Sequence, residues 1–140
     1  MRILRLQRSD HSKRKGAVLV EFAVTAPVLF LVFFAMIEFA RFNMIRHGMD
    51  SAVYEGARRG IVPGATADQV KSAAETILQA VSTTSATVTV VPSVLTPETT
   101  EVTVSVEVPF DSNGWVVPSF FRGTTLTRSC TLSREQLESF

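Results

Sequence analysis

The chain has 140 residues, enough for one small domain beside a membrane anchor and too few for two full domains. Its formal net charge is +1, but six of its 14 basic and one of its 13 acidic residues lie within residues 1–16. The rest of the chain therefore holds 8 basic and 12 acidic side chains. This acidic balance argues against a nucleic-acid partner, which would need a basic face on the folded domain.

A basic segment at residues 1–16 is followed directly by an apolar run at residues 17–40. Six cations before the run should hold the N-terminus in the cytoplasm, according to the positive-inside rule. As a helix, the run would reach roughly 36 Å, which exceeds the bilayer's hydrocarbon core of about 30 Å. We therefore predict a transmembrane segment over residues 17–40 in the inner membrane, with the rest of the chain outside the cytoplasm.

Four residues within or next to this apolar run are unusual for a membrane-spanning helix. Glu21 is its fifth residue, and a carboxylate at the centre of a spanning helix costs roughly 2.5 to 3.5 kcal/mol, and less near the edge. This cost indicates that the carboxylate has a use. Pro27 is expected to kink or loosen the helix. Near the outer end, Glu38 and Arg41 are spaced to form an ion pair on one helix face at the membrane surface.

A basic start followed by an apolar run has three interpretations. A conventional secretory signal has an apolar core of about 7 to 15 residues followed by small residues at the cleavage site, and neither feature fits here. An uncleaved single-pass anchor explains the length and the cations but leaves Glu21 and the adjoining Gly16 unexplained. The third interpretation is a leader that is cut at the junction itself.

The junction resembles a known family. A basic leader ending at Gly16, an apolar helix starting at Ala17 and a glutamate at the fifth position after the glycine are similar to the signal of type IV prepilins. Further along the chain, four short segments narrow the match: Val20-Glu21-Phe22-Ala23, Ala26-Pro27, Ile37-Glu38-Phe39-Ala40-Arg41 and Glu55-Gly56-Ala57-Arg58. They resemble the TadE-like pseudopilins of tight-adherence (Flp) pilus systems, although many members carry tyrosine in place of Phe22.

The resemblance implies a pilin-like or pseudopilin subunit that is made as a precursor and cut between Gly16 and Ala17 by a membrane aspartyl prepilin peptidase. It also implies that Glu21 pairs with the N-terminal amine of a neighbouring subunit. The implied partners are the peptidase, other pilin-like subunits and the inner-membrane assembly platform of the pilus. The alternative is an uncleaved, membrane-anchored domain that binds an envelope ligand through the loop around Trp115.

Helical periodicity continues beyond Arg41 to about Arg59, so we predict a soluble continuation of the first helix over residues 41–60. Small residues recur there at every fourth position, and this small-residue strip comprises Gly48, Ala52, Gly56 and Gly60. Such a strip allows another backbone to approach closely. Its partner is either the chain's own domain or the helix of a neighbouring subunit.

Residues 61–140 are predicted to form a small extracytoplasmic α+β domain. Thr66 and Gln69 form a capping-box pattern before a predicted helix at residues 67–81. Alternating valines then predict two strands, and a third is expected at residues 124–132, where Arg128 disturbs the apolar alternation. The expected fold class is α+β, with a long N-terminal helix, a second helix and a three-stranded antiparallel sheet.

A long connection at residues 111–123 precedes the third strand and contains Trp115, Phe120 and Phe121. Connections of this length are uncommon within a hairpin. Its aromatic side chains are expected either to cover the edge of the sheet or to form an exposed contact surface.

Catalytic and cofactor-binding patterns are not evident in the sequence. His11 lies in the leader and His47 stands alone on a predicted helix, so neither has a nucleophile or a metal ligand beside it. Cys130 is the single cysteine, which rules out an intrachain disulfide and a zinc cluster. It is expected to be a small buried side chain or to form a bond between chains. We therefore expect no enzyme activity, cofactor or metal.

Overall fold

A computed structural model of the chain describes residues 10–115 and 121–134, with side chains from Gly16 onward. The described elements, in chain order, are α1 (Asp10–Gly60), α2 (Ala67–Ala80), β1 (Thr87–Val91), β2 (Glu101–Pro109), a short 3-10 turn (Phe110–Ser112) and β3 (Thr125–Ser133). The strands form one antiparallel sheet in the order β1-β2-β3. The predicted α+β class, with two helices and a three-stranded antiparallel sheet, is therefore confirmed.

Helix α1 begins at Asp10, before the predicted start at Ala17, so part of the basic segment is helical. Lysine and arginine are good helix formers, which favours extension of the helix into this segment.

Contacts between residues divide the chain into two units, one ending at Met36 and the other beginning at Ile37.

The described part of the first unit is a single helix with exposed apolar side chains. Within Gly16–Gly60, an 18-residue window of α1 has a mean hydropathy of 2.4, and none of that window is buried in the protein. It is the one helix among the described residues that is long and apolar enough to cross a membrane. Apolar side chains on all sides of an unburied helix are typical of a membrane span. The helix therefore indicates a single-pass membrane anchor.

The second unit is built around β2, which pairs with both other strands. Side chains alternate between the two faces of a strand, so every second residue of β2 points toward the core. These residues are Val102, Val104, Val106 and Val108, and all four are fully buried. They pack in one apolar cluster with buried residues of both helices, including Ile45 and Met49 of α1 and Val70 and Leu78 of α2.

Helix α2 begins at the capping box that the sequence predicts. The Thr66 hydroxyl accepts a hydrogen bond from the Gln69 amide, and the Gln69 side chain accepts one from the Thr66 amide, each at 3.4 Å. These bonds satisfy two donors that a helix start otherwise leaves unpaired. Val70, Ala74 and Leu78 follow at every fourth position and form the buried stripe of the helix.

Strand β3 accommodates Arg128 on the same side as its apolar residues Leu126, Cys130 and Leu132. The arginine does not disturb the strand, because its Nε atom lies 2.9 Å from the Asp50 Oδ1 atom on α1. The position that breaks the apolar alternation in the sequence is thus an ion pair between the sheet and the first helix.

Candidate functional site

The junction between the basic segment and the apolar run lies on the exposed surface of α1. Gly16 and Ala17 are both exposed. A Cβ atom added at Gly16 would meet no other atom within 4 Å. The fold itself therefore has no steric need for glycine at this position, and any requirement for glycine would come from a molecule that binds the junction.

Glu21 lies five residues, about 1.4 turns, beyond Gly16 on the same helix, and its side chain is exposed. The Thr25 hydroxyl donates to the Glu21 backbone carbonyl, not to its carboxylate. Among the described residues, no side chain pairs with the Glu21 carboxylate. The carboxylate is thus available to a group outside the chain, and in a bilayer its charge would need one.

The small-residue strip packs within its own chain. A Cβ atom at Gly48 would lie 2.7 Å from a Val81 methyl carbon, and one at Gly60 would lie 2.8 Å from a Val102 methyl carbon. At Gly56 the nearest atoms, from α2 and β2, are at 3.3 Å, and Ala52 is fully buried in the core. The sequence left two possible partners for this strip. In the structure, the strip packs against the chain's own domain.

Glu38 and Arg41 do not lie on a solvent-exposed face of α1, where their spacing predicts an ion pair at the membrane surface. Both are buried, with 0% and 2% of their surface exposed. The expected exposure of these two side chains to solvent is wrong, because other segments of the second unit cover this part of α1. Spacing along one helix cannot reveal such a cover.

Arg41 instead binds three backbone carbonyl groups. Its Nη1 atom donates to the Val81 carbonyl and its Nη2 atom to the Ser82 carbonyl, both at 2.7 Å, and its Nε atom donates to the Asn113 carbonyl at 3.1 Å. Carbonyl groups at a helix C-terminus lack intrahelical donors and attract cations, so Arg41 caps the end of α2. Burial lowers the pKa of Arg41, but arginine titrates so far above neutral pH that the charge remains.

Asn113 continues this network with its side chain. The Nδ2 atom donates to the carbonyl groups of Thr84 and Pro109, both at 2.8 Å, and the Oδ1 atom accepts from the Thr84 amide at 2.7 Å. The residue is 3% exposed, so these bonds compensate for the loss of water. Arg41 and Asn113 together hold α1, the segment after α2 and the connection after β2 at one end of the unit.

Aromatic residues of the connection after β2 take two different positions. The Phe121 ring stacks on that of Phe42 with centroids 4.6 Å apart, and both contact Phe110, so Phe121 helps to cover the core. Trp115 is 62% exposed, and the Arg41 guanidinium carbon lies 4.9 Å from its ring centroid. Phe120, the third aromatic residue of the connection at residues 111–123, lies outside the described residues.

The roles of Arg41 and Asn113 in this network were not predicted from the sequence. A usable signal was the placement of Arg41 directly after the apolar run, together with a long connection that contains a side-chain amide. For metal chemistry, the described ranges contain no group of three or more histidine, cysteine, aspartate or glutamate residues that could hold an ion. Cys130 is half-buried on β3.

Comparison with known proteins supports the resemblance seen in the sequence. Residues 16–58 match the model of the family described as TadE-like protein. The match starts at Gly16 and contains Glu21, Arg41 and most of the small-residue strip, but it covers less than half of the chain. No curated protein and no solved structure matches the chain. The segment at residues 16–58, from the basic junction to near the end of α1, is therefore similar to the TadE-like family.

Proposed function

We propose that this protein is a pilin-like (pseudopilin) subunit of a tight-adherence, Flp-type pilus assembly system. The observation that carries the proposal is the TadE-like match over residues 16–58, which begins at the junction of the basic and apolar segments. The single apolar helix, long enough to cross a membrane, is consistent with a subunit that is held in the inner membrane before assembly. In this proposal, the second unit lies outside the cytoplasm.

A prepilin peptidase would cut the precursor after Gly16 and make Ala17 the new N-terminus. Gly16 is exposed, and no neighbouring atom restricts a side chain at this position. A glycine that the fold does not need is what a peptidase with a narrow binding site would require. The chain thus acts as the substrate of an enzyme, and we propose no catalytic role of its own.

Assembly would use the Glu21 carboxylate. Its exposed position in an apolar helix is costly for an isolated chain in a bilayer. Pairing with the amine at Ala17 of a neighbouring subunit would compensate both charges, and burial would strengthen the attraction between them. The partner subunits would therefore meet along the apolar part of α1, since the small-residue strip is already covered by the chain's own domain.

The direct test is the intact mass of the full chain extracted from membranes of a host that contains the cognate peptidase. We expect a mass that lacks residues 1–16, and the full-length mass when the peptidase is catalytically inactive. A full-length mass beside an active peptidase would contradict the proposal. It would favour the alternative, an uncleaved anchor for a binding domain of the cell envelope.

A further inference from the structure

Trp115 is an exposed aromatic side chain fixed to the part of α1 that directly follows the apolar run. The Arg41 guanidinium lies over the Trp115 ring, and the Arg41 Nε atom donates to the carbonyl of Asn113, two residues earlier. The connection after β2 is therefore tied to α1 at Arg41. Arg41 is also the first residue after the apolar run at residues 17–40.

This tie sets the level of Trp115 relative to a membrane. The second unit begins at Ile37, so residues 17–36 are the part of the run that is available to span the hydrocarbon core. Arg41 lies five residues, or about 7.5 Å of helix, beyond Met36, a distance close to the depth of one headgroup region. Trp115 contacts the same guanidinium and so lies at the same level. Met44 also reaches this level, since its Sδ atom is 3.9 Å from the Arg41 Nη1 atom and its side chain is 41% exposed.

The chemistry of the exposed groups fits the boundary between lipid and water. Tryptophan has a large apolar ring and one N–H donor, and it is enriched at the level of lipid headgroups. Met44 adds an apolar thioether next to the ring. Phe39, which is 59% exposed, lies in the last turn of the apolar run and adds a second aromatic ring near this level. Exposed aromatic residues also occur far from it. One example is Tyr54, which is 56% exposed and lies more than three helical turns beyond Arg41.

We propose that Trp115, held by Arg41, rests in the headgroup region of the leaflet on its own side of the bilayer and fixes the second unit against the membrane surface. The ligand of this surface is the lipid bilayer that the chain's own helix crosses. The cation–π contact orients the ring, and the hydrogen bond to Asn113 fixes its backbone. The proposal rests on the membrane anchor alone and requires neither cleavage after Gly16 nor a pilus.

Trp115 is the only tryptophan of the chain, so the fluorescence of the unmodified protein reports on this position. The full chain is reconstituted in vesicles of phosphatidylcholine and phosphatidylglycerol that carry bromine either near the headgroup or near the bilayer centre. We expect loss of most of the Trp115 emission with bromine near the headgroup, and a smaller loss with bromine near the centre. Iodide in the buffer should quench it weakly.

Two variants in a Trp115→Phe background calibrate the measurement. Tyr54→Trp places the probe on the same helix at a similar exposure but far from Arg41, and it should be quenched by iodide and not by lipid. Phe30→Trp places the probe inside the apolar run, and it should be quenched best by bromine near the bilayer centre.

The outcomes separate the possible partners of Trp115. Quenching by iodide as strong as that of the Tyr54→Trp probe, without quenching by lipid, would overturn the proposal. Weak quenching of Trp115 by both iodide and brominated lipid would also overturn it, because the ring would then be covered by protein, such as a second copy of the chain. Absence of lipid quenching for the Phe30→Trp probe would refute the membrane span and the proposal with it. None of these results depends on a peptidase or on other pilus subunits.

Discussion

The Arg41 Nε atom donates to the carbonyl oxygen of Asn113 at 3.1 Å, across 72 residues of the chain. This bond joins the first helix to the connection between β2 and β3. The other donors of the same guanidinium bind the carbonyl groups at the end of α2. One buried side chain thus holds three separate segments of the second unit at the end that follows the apolar run.

Replacing Arg41 should destabilise the second unit strongly. Arg41→Met keeps much of the side chain's bulk but removes all three donors. The buried Asn113 carbonyl left without a donor costs about 1 to 3 kcal/mol, and the partly exposed carbonyl groups of Val81 and Ser82 cost less. Water that enters the site will recover part of this cost. The measurement is the unfolding of the detergent-solubilised full chain in denaturant, and the midpoint should fall clearly below that of the wild type.

Arg58→Met is the matched control for this experiment. Arg58 lies on the same helix, but its side chain is 66% exposed and its Glu55 partner is 3.5 Å away on the surface. Exposed pairs of this kind contribute about 0 to 1 kcal/mol, so this variant should unfold close to the wild type. Equal unfolding midpoints for the two variants would show that the Arg41 network does not stabilise the unit.

Gly60→Ala should destabilise the protein through steric overlap. The new methyl group would lie 2.8 Å from a Val102 methyl carbon and 3.2 Å from one of Val70, both in the filled core. Overpacking of a core costs about 1 to 3 kcal/mol, which outweighs the gain of up to about 1 kcal/mol from replacing glycine by alanine in a helix. Thermal unfolding of the full chain measures the loss.

A second substitution tests the cause of that loss. Val102→Ala removes the methyl carbon that the new side chain meets, so the double variant should lose less stability than the sum of the single variants. Strict additivity would mean that Gly60 is required for another reason. Gly16→Ala serves as the control, because its Cβ atom meets nothing within 4 Å and the folded unit should keep its stability.

Gly16→Val should leave the precursor uncut while the second unit folds normally. The substitution is harmless to the fold, since the position is open, but a bulky side chain would obstruct a peptidase site that accepts glycine. An immunoblot of membranes with the cognate peptidase should show only the precursor, and the unfolding midpoint should match the wild type. Normal processing of this variant would argue against Gly16 as the recognition residue.

Glu21→Val should separate assembly from membrane insertion. Removal of the carboxylate lowers the cost of inserting the helix, so insertion and cleavage after Gly16 should persist. Subunit association should fall, since losing one member of a buried ion pair typically costs about 3 to 5 kcal/mol. Crosslinking of the variant to itself and to other pilus subunits in membranes measures this loss. Wild-type crosslinking would show that the carboxylate is not an assembly contact.

Local features of this protein were determined by the sequence alone. The apolar run of α1, the capping box at Thr66 and Gln69, and the alternating valines of β2 each depend on spacing within a few residues. Backbone geometry sets these spacings at 3.6 residues per helical turn and two per strand repeat. The α+β class and the TadE-like segment could therefore be predicted before any contact was known.

Only the tertiary structure decided which distant residues meet. From its position directly after the apolar run, Arg41 is expected to lie exposed at the membrane surface. It is buried, because segments 40 and 72 residues away cover it and present carbonyl groups to it. Arg128 interrupts the apolar pattern of β3, yet it fits because Asp50 stands opposite on α1. The preference of a long polar side chain for water or for a buried partner depends on groups brought near by folding. The spacing of residues along the chain does not show which partner groups folding will bring near.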